Sequence, residues 1–193
     1  IQYNPLGARN SAQDQYRNAA RNGFTEATLG CPFIVADGDY GLDDVRVGVE
    51  GNFLKVTYIA SAIASADAMI VLSHFKGHNS GVFGGAIKNV GIGCCSKRGK
   101  SATHLMTHPK YGVEGYIFHP EKCLARDCPR YKVCSETCPV DAFRVVDESP
   151  YARWDIEKCV GCAGCWYRFR CGVLESPAGR EFYTPAVFAD SAK

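Results

Sequence analysis

The chain has 193 residues, with 22 Lys+Arg against 20 Asp+Glu, a formal net charge of +2 and 46% hydrophobic residues. That length allows one or two domains and buries about 70% of the unfolded surface, enough for a core without disulfide staples. The near-neutral balance, with no long basic run, leaves no electrostatic footprint for nucleic acid, and no apolar run approaches the roughly 18 residues of a membrane span.

Along the chain, residues 11–22 (SAQDQYRNAARN) read as a helix. Ser11 is a fitting N-cap, Ala12, Tyr16, Ala19 and Ala20 fall on one face, and Gly23 stops it. The short apolar runs at 32–37 and 67–73 read as buried strands. Between them Val45, Val47 and Val49 alternate with polar residues, then Gly51 and Asn52 turn the chain into residues 53–59, a hairpin signal. Residues 60–66 are small and helical in character. After Ser73 the apolar run stops at HFKGHNSGVFGG, and residues 82–89 start a further helix whose beginning Gly84 and Gly85 blur. Together these predict an α/β domain over residues 1–118.

Residues 74–100 join a strand to a helix through a glycine-rich polar loop, the junction at which ligands bind in open α/β sheets. Helix-start N–H groups reached past Gly84 and Gly85, with Lys76, Lys88, Lys97, Arg98 and Lys100 nearby, suit a small anion. The competing reading is tight packing at the glycines and solvated lysines. His74 and His78 flank Lys76, but Gly77 favours a loop over a helical metal-binding face. Cys94 and Cys95 are adjacent, which suits packing better than joint ligation of one metal; either becomes a reactive thiol if Lys97 and Arg98 lower its pKa.

From Cys123 onward the chain changes character, and eight of its eleven cysteines follow. Cys123, Cys128, Cys134 and Cys138 form one group, the last followed by Pro139; Cys159, Cys162, Cys165 and Cys171 form a second that opens as CVGCAGC. In two-cluster ferredoxins the CP cysteine of one group ligates the other cluster. With that crossover, Cys138, Cys159, Cys162 and Cys165 hold one [4Fe-4S] centre and Cys123, Cys128, Cys134 and Cys171 hold the other. The bacterial pattern leaves two, two and three residues between successive cysteines. Here the gaps are four, five and three in the first group and two, two and five in the second. Every irregular gap touches a ligand of the Cys123 centre, so the Cys159 centre is the orthodox one. A disulfide framework suits domains too small for a core. Zinc competes on the CxxC pairs, although two linked CxxC steps and a distant CP cysteine exceed one tetrahedral site.

The duplicated pattern of cluster, turn and strand predicts an α+β bacterial-ferredoxin-like module with two [4Fe-4S] clusters over 119–175. The boundary falls near 118–120, and 176–193 forms a tail or a return segment to the α/β domain. Arg126, Arg130, Lys132, Arg168 and Arg170 interleave with the cysteines, where cations favour the reduced state of an anionic cluster. Trp166 and Tyr167 follow Cys165 and are placed to shield a cluster or to pack.

SHFKGHNSGVFGGAIKNVGIGCCSKRGK resembles the central signature of the family catalogued as domain of unknown function 362, and NPLGARNSAQDQYRNAARNGF with PFIVADG resembles the segment before it. The ferredoxin-like motif is similar to an insertion that many members carry after the signature. The resemblance puts Lys76, Lys88, Asn89, Cys94 and Ser96 within the signature without assigning them roles. It also implies that the family extends beyond both ends, so that a chain starting at Ile1 resembles a fragment, a cleaved product or a short member. The widened gaps depart from the usual insertion.

The expected function is electron transfer through two [4Fe-4S] clusters, to a redox partner protein or to a site in the α/β domain. Two rivals stand beside it: a reductase acting on an anionic small molecule near 74–100, with Lys76, Lys88 and Cys94 as catalytic candidates, and a scaffold protein with structural clusters. Oxygen-sensitive clusters and free thiols point to a reducing, cytoplasmic and anaerobic setting.

Overall fold

The computed structural model of the chain describes residues 1, 8–78, 82–105, 117–156, 158–159, 164–175 and 185–193. Helix α1 spans Ala12–Arg21. Its start follows from Ser11, whose hydroxyl accepts from the Asp14 N–H at 3.2 Å, and its end from Gly23, which leaves at φ +83. Of the predicted apolar face, Ala12 and Ala19 are buried, whereas Tyr16 stays 46% exposed and meets Phe33 edge-on at 5.9 Å. A four-residue helix, α2, follows at Glu26–Leu29, capped by Thr25.

Residues 32–37 form no strand, against expectation, and Ile34 is 66% exposed. An apolar run supplies side chains but no hydrogen-bonding neighbour, and here the chain bends at Gly38 so that only Asp37 turns inward. The hairpin forms, with its second strand at 56–60 rather than 53–59. Strands β1 (Asp44–Gly48) and β2 (Val56–Ala60) pair antiparallel from Asp44↔Ala60 to Gly48↔Val56. β1 is an edge strand with Val45 and Val47 exposed, while Thr57, Tyr58 and Ala60 of β2 are buried. The far edge of β2 is closed by residues 94–96: Ala60 N–H donates to the Cys94 carbonyl and Ser96 N–H to the Tyr58 carbonyl, both at 2.9 Å.

After the short helix α3 (Ser61–Ala64), the predicted strand at 67–73 is also not one. Ile70 is 90% and Leu72 89% exposed, and Asn89 Nδ2 holds the segment by donating to the Leu72 carbonyl (2.9 Å) and Ser73 Oγ (3.1 Å). The glycine-rich signature instead makes a small hairpin, β3 (Lys76–His78) against β4 (Val82–Gly84), with Lys76 opposite Gly84. Helix α4 (Ala86–Gly93) therefore begins at 86 rather than 82, because residues 82–84 are taken up by pairing. Helix α5 covers Lys97–Leu105.

The cysteine-bearing stretch runs β5 (Ile117–Phe118), two short 3-10 turns, α6 (Val133–Thr137), β6 (Phe143–Val145), β7 (Ala152–Trp154), α7 (Gly164–Phe169) and β8 (Leu174–Glu175). β6 pairs with β7, and β5, the first strand, pairs with β8, the last. Helix α8 (Pro185–Ser191) then packs on α4 and α5. Two glycines let the layers approach: a Cβ on Gly91 would stand 2.6 Å from the Phe188 carbonyl oxygen of α8, and one on Gly99 2.5 Å from the Tyr58 carbonyl oxygen of β2. Among the described residues every sheet is two-stranded and antiparallel. The fold is mixed α/β with small sheets rather than an open α/β sheet.

Candidate cysteine-lined site

Phe143, Val145, Ala152, Val173 and Leu174 form the core of the 117–175 stretch, and Cys123, Cys134, Cys138 and Cys165 pack against it. The loops carrying these cysteines are conformationally costly. Ala125 (φ 44), Lys132 (φ 63), Asp141 (φ 52) and Arg170 (φ 41) are the non-glycine left-handed residues among those described, and each lies within three positions of a cysteine. Each such residue costs about 1–2 kcal/mol, and clustering of this kind marks functional sites. The bends bring amides to sulfur: Ala125 N–H donates to Cys123 Sγ at 3.4 Å and Ala142 N–H to Cys138 Sγ at 3.1 Å.

Cys123, Cys128, Cys134 and Cys171 line one cavity of about 270 Å³, whose wall also includes Cys165. These are the four cysteines that the crossover reading assigns to the irregular centre, joined by one assigned to the other. Apolar side chains from β6, β7 and β8 make the floor, and Lys122, Arg130, Lys132 and Arg170 supply cations to a lining without a carboxylate. Arg130 lies 5.7 Å over the Phe169 ring and Arg170 5.2 Å over Trp166. Burial pushes the Cys134 thiol up, Ser135 and Cys134 N–H groups oppose this, and Cys123 and Cys128 push it further up. Thiolates gathered here repel one another until a positive group sits among them. Among the described residues no three His, Cys, Asp or Glu side chains converge on a single ion's position. The described cysteines are all free of disulfides.

The second predicted set is less complete. Cys138 and Cys165 share the core, Cys159 is half-buried with its N–H bonded to the Asp155 carbonyl (3.1 Å), and Cys162 lies outside the described residues, as do the side chains of Tyr167 and Arg168.

Around residues 74–100 the structure separates the candidates. Lys76 and Lys88 come together with His78: Lys88 stands 5.2 Å over Phe188, and the His78 ring is 6.1 Å from the same ring. Burial, then Lys76, lowers the Lys88 pKa; burial, then Lys88 and Lys76, lowers that of His78. Cys94 caps the opposite end of α4, six residues from Lys88 and so about 9 Å along the axis. Its sulfur is 3.9 Å from Met69 Sδ, and burial, then Cys95, pushes its pKa up. The condition for a reactive thiol, a pKa lowered by Lys97 and Arg98, is not met at Cys94, whose pKa is raised; Lys97 is only 2% exposed and Arg98 is paired with Asp44 at 2.5 Å. Cys95 donates to the Gly91 carbonyl (3.0 Å), Asn89 holds 72–73, and Ser96 Oγ accepts from Gly99 N–H (3.3 Å), which gives all three structural roles. Sequence reasoning missed Asp147, on which Arg126, Tyr131 and Lys132 converge; its one signal is an acid placed at the end of FRVVD.

The family model described as Domain of unknown function (DUF362) matches residues 4–159. No curated protein and no solved structure matches the chain.

Proposed function

Since the chain belongs to the DUF362 family, whose description assigns no activity, we propose from the site itself that it is an iron-sulfur electron-transfer protein with two [4Fe-4S] clusters. The observation that carries this reading is the cavity shared by Cys123, Cys128, Cys134 and Cys171. With Cys165 on the same wall, five cysteines surround one space, more thiolates than one tetrahedral zinc uses and a lining that suits a thiolate-ligated iron-sulfur cluster. The order strand, helix, strand, strand, helix, strand, with the first strand pairing the last, adds support from a ferredoxin-like arrangement. Such a cluster supplies one-electron transfer when bound. The chain's residues exclude water with the β6–β8 floor and Trp166, donate N–H groups to sulfur, and surround the thiolates with cations that raise the reduction potential. A redox partner protein is the expected acceptor or donor.

Anaerobic preparation is expected to yield roughly eight iron and eight acid-labile sulfide per chain, four of each for a [4Fe-4S] cluster. Cys134→Ser should perturb one EPR signal and leave the other. Iron near zero with tightly bound zinc would sink the reading. A second reading, a reductase for an anionic small molecule, is favoured by the meeting of Lys76, Lys88 and His78, although Cys94 stands away from them.

A further inference from the structure

Both enlarged gaps in the first cysteine group end on one carboxylate. Arg126 comes from the four residues between Cys123 and Cys128, and Tyr131 and Lys132 from the five between Cys128 and Cys134. Asp147, in the turn between β6 and β7, accepts from Tyr131 Oη and from Lys132 Nζ (2.8 Å), and its carboxylate lies 3.8 Å from the Arg126 guanidinium, which also donates to the Asp147 carbonyl at 3.2 Å. Tyr131 and Lys132 are cavity wall, and Lys132 is one of the left-handed residues, at φ 63. A five-residue loop with a backbone bend of this kind does not hold its shape through chain preference; something must hold it. Ordinary exposed ion pairs contribute little, but three partners on one carboxylate form a network.

We infer that Asp147 is the positioning residue of the Cys123 centre, latching both widened loops onto the β6–β7 turn and setting the charge beside the cavity. This rests on the iron-sulfur reading. Removing the carboxylate leaves Lys132, on the cavity wall, without its counter-charge, which favours the more negative, reduced state of that centre.

The experiment compares the wild-type chain, Asp147→Asn and Asp147→Glu, all prepared anaerobically. Iron and sulfide content, EPR-monitored redox titration and the rate of iron loss to a ferrous chelator are measured for each. The expected result for Asp147→Asn is a positive shift in the midpoint of one centre, several-fold faster iron loss from it, and an unchanged second centre, with Asp147→Glu close to wild type. A merely structural residue would change iron retention without moving a potential in the fully loaded fraction. Unchanged midpoints and release rate in Asp147→Asn overturn the inference, as does an equal shift in both centres. If Asp147→Asn fails to fold, Asp147→Glu decides: a wild-type midpoint supports the latch, and loss of the centre despite the retained charge overturns it. A wild type with iron at background overturns the iron-sulfur reading itself, and the inference with it.

Discussion

Asp190 is nearly inaccessible, yet its pKa is lowered. Burial pushes it up, and the N–H groups of Phe53, Leu54 and Asn52 together pull it further down, with Phe53 N–H at 2.7 Å. A carboxylate whose folded pKa lies below its unfolded value near 3.9 contributes stability in full above that value and loses it as pH falls through the folded pKa. Asp190→Ala is therefore expected to cost about 1–3 kcal/mol at pH 7 by leaving the buried Leu54 N–H and the part-buried Phe53 N–H without their acceptor. The gap from wild type should narrow below about pH 4, as denaturant melts across pH would show; equal gaps at pH 7 and pH 3 would contradict this. Gly91→Ala is expected to destabilise by about 1–3 kcal/mol despite the better helix propensity of alanine, because the obstacle is backbone, the Phe188 carbonyl. Neither contact is legible in the sequence, since Asp190 and Phe53 are 137 positions apart and nothing local marks either residue.

At the level of elements, what the sequence reveals depends on whether the signal is local. Helix α1 is readable because its cap and its stop sit beside it, and Ser11→Ala should cost about 1 kcal/mol in thermal or denaturant melts. The hairpin β1–β2 is readable because strand alternation and the Gly51–Asn52 turn lie together. Runs 32–37 and 67–73 mislead because apolar character says nothing of who pairs with the backbone. Their exposure has a measurable consequence. Ile70→Asn is expected to change stability by less than about 0.5 kcal/mol, whereas Leu54→Ala, at a side chain 2% exposed, should cost about 2–5 kcal/mol. Comparable losses at both positions would mean that 67–73 is covered in solution.

For the molecule as a whole, the cysteine pattern reached furthest along the chain: Cys171 lines the same cavity as Cys123, Cys128 and Cys134, together with Cys165 of the other predicted set. The left-handed loops and Asp147 were not legible, because loop conformation is set by what the loop must hold rather than by propensity. On the iron-sulfur reading, stripping the metal leaves costly backbone with no cluster to hold it. Hydrogen exchange should then quicken across residues 123–134 and 164–171 while α1 and β1–β2 keep their protection; uniform protection before and after iron removal would count against a cluster-held unit.

Ile117 and Glu175 face each other across a strand pair, so the chain leaves and comes back at one place, and everything between them is a closed loop in the polymer sense. Closing such a loop costs about 0.6 kcal/mol for each doubling of its length. Two or three extra residues between cysteines are thus almost free to the rest of the molecule, and the widths of those gaps are set by how far the loops must reach.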